Sequence, residues 1–335
     1  MALATVVETR GSTYSKAGAL MLIDENGIFQ GMLSGGCLEG DLAIRAQVVI
    51  ETDTPQAITY DLADDNDELW GLGVGCDGLM KVLLQPLTAA EDYEPFATIL
   101  DALNSDRPAI VSTLLESPFS STPVGSALVV TEDDSHSFGI ADELLSKIEV
   151  GAKRSLTRRE TMSDCVWVAG SEALVLHSLV RPAPRVLVLG GGLDAEPLVR
   201  YADELGWKCT VVDHRPAYIE KGDFSGAEHT ICCAPNELKS EVELAKFDAA
   251  VVMSHHLASD RAYLELLGTT DISYIGLLGP AGRRDRLLAE LGDTGRALAD
   301  RLSGHAGLDI GARGPAAIAL SIVVEIQQAL PGVDA

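Results

Sequence analysis

Residues 185–190 read Arg-Val-Leu-Val-Leu-Gly, a short apolar run that stops on three consecutive glycines. A run of that length bounded by turn residues suits a strand buried on both faces, as in a parallel sheet. Helical apolar spacing follows from about Ala195 to Leu205 and ends at Gly206, and a second apolar run covers Cys209–Asp213. The string Gly190-Gly191-Gly192-Leu193-Asp194-Ala195 fits G-x-G-x-x-A between that strand and that helix, and Asp213 closes the next strand 23 residues after Gly190. Small residues there permit a tight turn and close approach of a phosphate, the helix N-terminus faces the anion, and the acid can accept a bond from a ribose hydroxyl. Further strands are expected at Asp248–Met253 and Tyr274–Leu278, each followed by a helical stretch, with a last helix from Pro315 to about Leu330. Strands alternating with helices predict a doubly wound parallel sheet of Rossmann type. A glycine-tight turn with no ligand is the other reading of the same string. Asp194 and Glu196 favour it, because they already bring negative charge to the turn.

The first half carries a different pattern. Short β-type runs at Ala4–Glu8, Ala19–Ile23, Ile28–Leu33, Ala57–Tyr60 and Leu79–Leu84 are separated by turn residues, with one helix at about Leu38–Ile50. Pro108–Leu115, Ser126–Thr131, Cys165–Ala169 and Ala173–Leu179 read as further strands, with a helix at about 141–149. This predicts a mixed α/β unit whose topology the periodicity does not specify. Two prolines in Arg181-Pro-Ala-Pro184 interrupt any regular element. The fold class expected is therefore α/β: an N-terminal mixed α/β domain over 1–182 and a C-terminal Rossmann-type domain over 183–335.

Composition removes whole classes of function. The 335 residues are ample for two cores, and 47% apolar against 22% charged residues excludes a disordered chain. Fifty Asp+Glu against 25 Lys+Arg leave a net charge of −25. Such a field repels phosphate backbones and anionic lipid, so neither a nucleic acid nor a membrane surface is expected as partner. No run of about 18 uncharged apolar residues is present, so no transmembrane helix is expected. The opening MALATVVETRGS has no basic region and reads as a strand rather than a signal peptide. Six cysteines at 37, 76, 165, 209, 232 and 233 form no CxxC pair, which suits reduced thiols in a cytoplasm better than disulfides or a structural zinc.

Several loops carry candidate chemistry. Ser34-Gly35-Gly36-Cys37-Leu38-Glu39-Gly40 lies between a strand and a helix. A helix N-terminus stabilises a thiolate, and paired glycines admit a ligand close to the backbone. Glu39 is a plausible partner whose charge would oppose a nearby thiolate, and a buried cysteine at a tight turn is the plainer alternative. A second glycine-rich loop, 71–78, holds Cys76, and two such loops in one domain favour a shared ligand site, expected in a cleft with the Rossmann half. Gly279, Arg283 and Arg284 sit where a helix begins after the strand Tyr274–Leu278. Arginines there suit an anionic ligand, or else a local ion-pair cluster with Asp285 and Glu290. Of the adjacent pair His255-His256 only one can face a given site, and His255 is the candidate acid/base. Cys232-Cys233 reads as packing, and Arg10-Gly-Ser-Thr-Tyr14 either lines the first-domain site or connects strands.

Together, ATVVETRGSTYSKAGALMLI, LSGGCLEGDL and VGCDGLMKVLLQPL in the first domain resemble the XdhC/CoxI family of maturation factors for xanthine and carbon monoxide dehydrogenases. In the second domain VLVLGGGLDAEP, CTVVDHRPAY, AVVMSHH, YIGLLGPAGRRDRLL and GLDIGARGPAAIALSIVVEI carry the same resemblance. Only about 90–165 stands outside it. Members often show GAGH and a run of arginines where this chain has GGGL and GPAGRR, and usually begin with a helix before the ATVV strand.

What the resemblance implies is a chaperone for the molybdenum cofactor, a molybdopterin, without turnover of its own. It would protect the cofactor while a cysteine desulfurase installs the terminal sulfido ligand, then help insert it into a molybdenum hydroxylase client. Cys37 would be the metal- or sulfur-facing group and Cys76 the second, because soft thiolates suit molybdenum and sulfur. Gly35, Gly36 and the loop from Gly279 to Arg283 and Arg284 would hold anionic parts of the cofactor, since backbone amides and arginines suit a phosphate, and Ser34 and Glu39 would be further cofactor-binding residues. A homodimer is among the assemblies this reading allows. The alternative is an NAD(P)-dependent oxidoreductase with Gly190, Gly192 and Asp213 on the nucleotide and His255 as acid/base, and a third is a scaffold that keeps the fold without turnover.

Overall fold

The computed structural model describes residues 1–61, 78–168 and 170–330. The chain divides into two compact units, Met1–Pro182 and Ala183–Ala335.

Among the described residues, the first unit holds two antiparallel sheets. One contains β1 (Ala2–Arg10), β2 (Leu20–Ile23), β3 (Phe29–Gln30), β4 (Gln56–Asp61) and β5 (Leu79–Pro86) in the order β3-β2-β1-β5-β4, with α1 (Glu39–Thr52) on one face. Leu42, Ala46 and Val49 recur at i, i+4 and i+7 and turn one stripe of α1 onto Val6, Met21, Ile23, Met80 and Val82. Burying Leu42 alone contributes about 1.5–3 kcal/mol. The helix stops at Asp53, whose φ of 49° is left-handed. The expected strand at Ile28–Leu33 shrinks to Phe29–Gln30 because the chain turns at Gly31, where a Cβ would stand 2.8 Å from the Leu20 carbonyl oxygen.

The second sheet follows α2 (Phe96–Asn104). It contains β6 (Ala109–Glu116), β7 (Ala127–Val130) and β8 (Ser135–Phe138), then β9 (Met162–Val168) and β10 (Ser171–Val180), in the order β8-β7-β6-β10-β9. Between β8 and β9, α3 (Asp142–Arg158) buries Leu144, Ile148 and Ala152 against Ile110, Leu128 and Val175. Gly151 lets α3 come close: a Cβ there would lie 2.4 Å from Nε2 of the buried His177, whose Nδ1 pairs with the Ser112 hydroxyl at 2.8 Å. Val7 and Leu83 meet Leu176 and so join the two sheets.

The second unit is a parallel sheet with helices on both faces. Its strands are β11 (Arg185–Leu189), β12 (Lys208–Asp213), β13 (His229–Cys232), β14 (Ala249–Val252), β15 (Tyr274–Leu277) and β16 (Leu302–Gly304). The order β13-β12-β11-β14-β15-β16, every pair parallel, is 3-2-1-4-5-6 counted from β11, the order of the dinucleotide-binding Rossmann sheet. The connecting helices are α4 (Ala195–Glu204), α5 (Pro216–Lys221), α6 (Leu238–Glu241), α7 (Leu257–Leu267), α8 (Ala281–Glu290), α9 (Asp293–Leu298) and α10 (Pro315–Ala329). Val186 and Val188 pack under α4 and α10, while Leu187 and Leu189 face α7 on the other side. Two buried faces explain why β11 is apolar at every position from 186 to 189. With β12 on one side and β14 on the other, β11 lies at the point where the strand order reverses, and its carboxyl end opens the crevice.

Candidate functional site

In the first unit, the Ser34–Cys37 loop is shaped by one carboxylate. Glu39, the first residue of α1, is 2% exposed, and its two oxygens accept four hydrogen bonds. Oε1 takes the Leu33 and Ser34 amides at 2.9 and 2.8 Å; Oε2 takes the Ser34 hydroxyl and the Gly36 amide at 2.9 Å. The Ser34 Oγ in turn accepts the Leu38 amide at 2.7 Å. Burial on its own would raise the Glu39 pKa, but the bonds from the Ser34 hydroxyl and from the Ser34 and Leu33 amides outweigh it and hold the group below its ordinary value. An ionised carboxylate has roughly four acceptor sites, and here all are filled from within the loop.

Glu39, expected to bind cofactor, thus positions the loop around it. It also occupies the amide of Gly36, one of the donors expected for an anion. The amides of Gly35 and Cys37 donate to no described residue, and both glycines carry a positive φ, 73° and 104°. Open space surrounds Gly36, whereas Gly35 lies against the exposed Tyr14 ring, 3.2 Å from where a Cβ would stand. The Cys37 side chain is half-buried, leaning on the core under α1. Ser12 and Thr13 lie against Gly78 instead: a Cβ there would stand 2.3 Å from the Ser12 carbonyl oxygen, so only glycine fits. The Arg10–Tyr14 segment thus touches both Gly35 and the last residue of the second glycine-rich loop. Cys76 and the rest of 71–77 lie outside the described residues.

In the second unit the glycine turn has the expected form and a different electrostatic environment. Gly190 is glycine because β14 is close: a Cβ would lie 2.5 Å from the Met253 carbonyl carbon, and φ is +131°. Asp213 is 1% exposed and again accepts four bonds. Arg215 supplies its amide (2.8 Å), Nε (2.9 Å) and Nη2 (2.7 Å), and the Gly191 amide supplies the fourth at 2.8 Å. Burial acts to raise its pKa, and the Arg215 and Gly191 bonds bring it below the ordinary value. These four bonds occupy the acceptor sites of the carboxylate that was expected to meet a ribose hydroxyl.

The arginines are also committed. The Arg284 stem runs across Gly304, where a Cβ would collide with it, and its guanidinium donates to the Leu302 and Ala299 carbonyls at 3.1 and 2.9 Å. Arg283 pairs with Asp260, which also takes the Ser254 hydroxyl. Arg283 and Arg284, expected to hold an anion, are thus both engaged within the fold, Arg283 by a carboxylate and Arg284 mainly by carbonyls. Arg286 with Glu290 at 2.8 Å completes the ion-pair cluster that was the other reading.

What faces the crevice is different. His255, with φ at 57°, puts Nε2 2.7 Å from Oδ2 of Asp194, the residue that opens α4 beside Gly192. His256 turns away and caps α7 through Ser259. Asp194 and His255 line a pocket of about 650 Å³ with Gly279, Leu278, Ile318 and His305. Its far wall is held by α10: Glu325 accepts Tyr274 Oη (2.6 Å), Ser303 Oγ (2.6 Å) and the Gly307 amide (2.7 Å). Neither His305 nor Glu325 stood out in the sequence, where no local spacing links them to Gly190. Arg215 could have been found, since a cation two residues after the acid is a local pairing signal. Among the described residues no group of three or more His, Cys, Asp or Glu side chains could hold a metal ion, and no helix is long and apolar enough to cross a membrane.

Residues 1–61 match the family model described as XdhC and CoxI family, and 186–326 match that of the XdhC Rossmann domain. A Bacillus subtilis (strain 168) protein, named as a probable xanthine dehydrogenase subunit, is 32% identical over 326 residues, covering 97% of this chain and 92% of that one. The chain belongs to the XdhC and CoxI family. A crystal structure from Bacillus halodurans, described as a xanthine dehydrogenase, superposes with a TM-score of 0.80 at 31% identity, over 98% of this XdhC/CoxI chain and 90% of the other. A molybdenum cofactor insertion chaperone of Escherichia coli (strain K12), PaoD, is 28% identical over 106 residues, 32% of this XdhC/CoxI member and 31% of PaoD.

Proposed function

We propose that this chain is a maturation factor for a xanthine dehydrogenase-type molybdenum hydroxylase, carrying the molybdenum cofactor as cargo. The geometry that supports it most is the Ser34–Cys37 loop: a rigid, carboxylate-pinned turn that presents the Gly35 and Cys37 amides and a half-exposed thiol. The near-full-length likeness to the Bacillus subtilis protein and the partial likeness to PaoD support the client and cargo classes. In this reading the two amides receive an anionic part of the cofactor, and Cys37 faces the metal or its sulfur, with Cys76 as second thiol. Glu39 and Ser34 keep the loop in shape. A cysteine desulfurase supplies the terminal sulfido ligand while the cargo is held. The nicotinamide-dependent oxidoreductase loses support, because Asp213 is saturated by Arg215 and Gly191.

The test is Cys37→Ser in the full chain, read by bound molybdenum and pterin after purification and by activation of cofactor-free client hydroxylase. Cofactor retention and client activation should fall while the thermal midpoint stays nearly unchanged. A variant that unfolds several degrees earlier yet still activates the client would make Cys37 a packing residue and overturn the assignment.

A further inference from the structure

The pocket beside the glycine turn of the second unit is shaped against the ligand that its fold suggests. A dinucleotide would set its pyrophosphate at the start of α4. That position already holds the Asp194 carboxylate, with Glu196 in the same first turn, and Oδ1 of Asp194 would be 2.6 Å from a Cβ on Gly192. The nearby cations are turned elsewhere: Arg215 is paired with Asp213, Arg283 with Asp260, and Arg284 donates to the Leu302 and Ala299 carbonyls. The ribose acceptor is likewise filled.

The pocket nevertheless has the marks of a ligand site. Its volume, about 650 Å³, falls within the roughly 300–1,000 Å³ of small-molecule sites. Leu278, Ala306 and Ile318 give it apolar walls, and Asp194, His255, His305, Asp309 and Ser321 bring polar groups to it. His255 and His305 both carry left-handed backbone, φ 57° and 84°, on loops that leave the carboxyl ends of β14 and β16. A non-glycine residue held at positive φ is costly and tends to gather at functional sites. His255 fixes one oxygen of Asp194; the other, Oδ1, accepts no bond from a described residue, and the His305 ring is likewise unengaged by any described residue. The pocket therefore offers a carboxylate acceptor, an imidazole and apolar faces, in a field that rejects negative charge.

We propose that this pocket takes the aminopyrimidinone edge of a flat fused heterocycle, its N–H groups on Asp194 and its ring between the apolar wall and His305, with any phosphate directed away from α4. Pterins and guanine share that edge. The inference deepens the cargo reading in the pterin case, because the molybdenum cofactor is built on such a ring, and stands apart from it in the guanine case.

Fluorescence titration of the full chain with 6-hydroxymethylpterin, and calorimetric titration with guanosine, adenosine and NADH, tests it. Pterin, guanosine or both should bind, and adenosine and NADH should bind at least tenfold more weakly. Preference for pterin identifies the cofactor ring as occupant, and preference for guanosine a guanine nucleotide. Asp194→Asn should weaken the bound ring about tenfold or more, through loss of an ionic acceptor. His305→Asn, which tolerates the same backbone, should weaken it several-fold with an unchanged melting profile. Binding of neither pterin nor guanosine overturns the proposal. So does NADH binding that tightens in Asp194→Asn, the result a phosphate at α4 would give. Client activation that persists in Asp194→Asn while pterin binding is lost upholds the pocket and parts it from the cargo reading; wild-type pterin binding with no effect on any client removes the chaperone and leaves the pocket.

Discussion

Replacing Glu39 by Gln changes one atom and leaves the shape of the side chain intact. The carboxylate accepts four bonds, whereas an amide can accept only through its oxygen. Kept toward Leu33 and Ser34, that oxygen still receives two amides, now without the assistance of charge. The NH2 then faces the Gly36 amide, donor against donor, and the Ser34 hydroxyl must reverse its role. A bond to a charged group contributes about 1.5–3 kcal/mol against about 1 for a neutral pair, and a buried donor left unmet costs about 1–3. The sum is a loss of about 3 kcal/mol, concentrated in residues 33–38. Hydrogen exchange of a peptide covering that loop should rise by about two orders of magnitude at pH 7, with a lower urea midpoint for the first unit. Acid supplies the internal control. Because folding lowers the Glu39 pKa, its stabilisation is present above the ordinary carboxyl value and disappears as the pH falls through the folded value. Wild type and Glu39→Gln should therefore converge as the pH falls through the lowered folded-state value of Glu39. Loop exchange unchanged at pH 7, or a gap between the two that persists in acid, would refute this account of the loop.

Gly190→Ala should disrupt the second unit, since a Cβ would strike the end of β14 at an unfavourable φ; a melting transition unchanged within about 1 °C would contradict the close approach at Met253. Burial pushes the Cys209 thiol up to about 12, so iodoacetamide at pH 7.5 should label Cys37 long before Cys209 in native protein, and equal labelling by mass spectrometry would contradict the buried strand. Burial holds the His177 imidazole near 4, down from 6.5. The unfolded chain thus gains a proton that the folded one refuses, and stability present above 6.5 should fall by ~3 kcal/mol as the pH drops through 6.5 toward 4. An NMR titration placing His177 near 6.5 would exclude this.

The parts of the fold that the sequence exposes are those buried on both sides. Val186–Leu189 and Ala249–Val252 are apolar throughout because helices cover both faces, so strands β11 and β14 could be read directly. The edges were hidden: His229–Cys232 lies largely in solvent and Leu302–Gly304 spans three residues, so neither shows an apolar run. Ser135–Phe138 escaped for the same reason, being a polar strand that among the described residues pairs only with β7. For the site, spacing located the glycine turns and the acids beside them. It did not reveal what those acids bind, because the partners of a lone pair are set by folded geometry. Glu39 and Asp213 each looked like a ligand group, and the folded geometry shows that each also braces its own turn. The Asp194–His255 pair joins residues 61 apart in sequence, which no local pattern encodes.

The grip of Glu325 on Tyr274, Ser303 and Gly307 has a consequence for the newborn chain. The glycine turn leaves the ribosome early, but the wall of its pocket waits for α10, which also covers Val186 and Val188. At about 5–20 residues per second, that interval is on the order of ten seconds, during which β11 is synthesised but lacks its cover. A half-made second unit therefore has no formed pocket, and occupancy there can begin only after the last helix docks. An occupant of this pocket would be admitted only by chains in which α10 has docked, and a chain cut short before Glu325 would have no such pocket to fill.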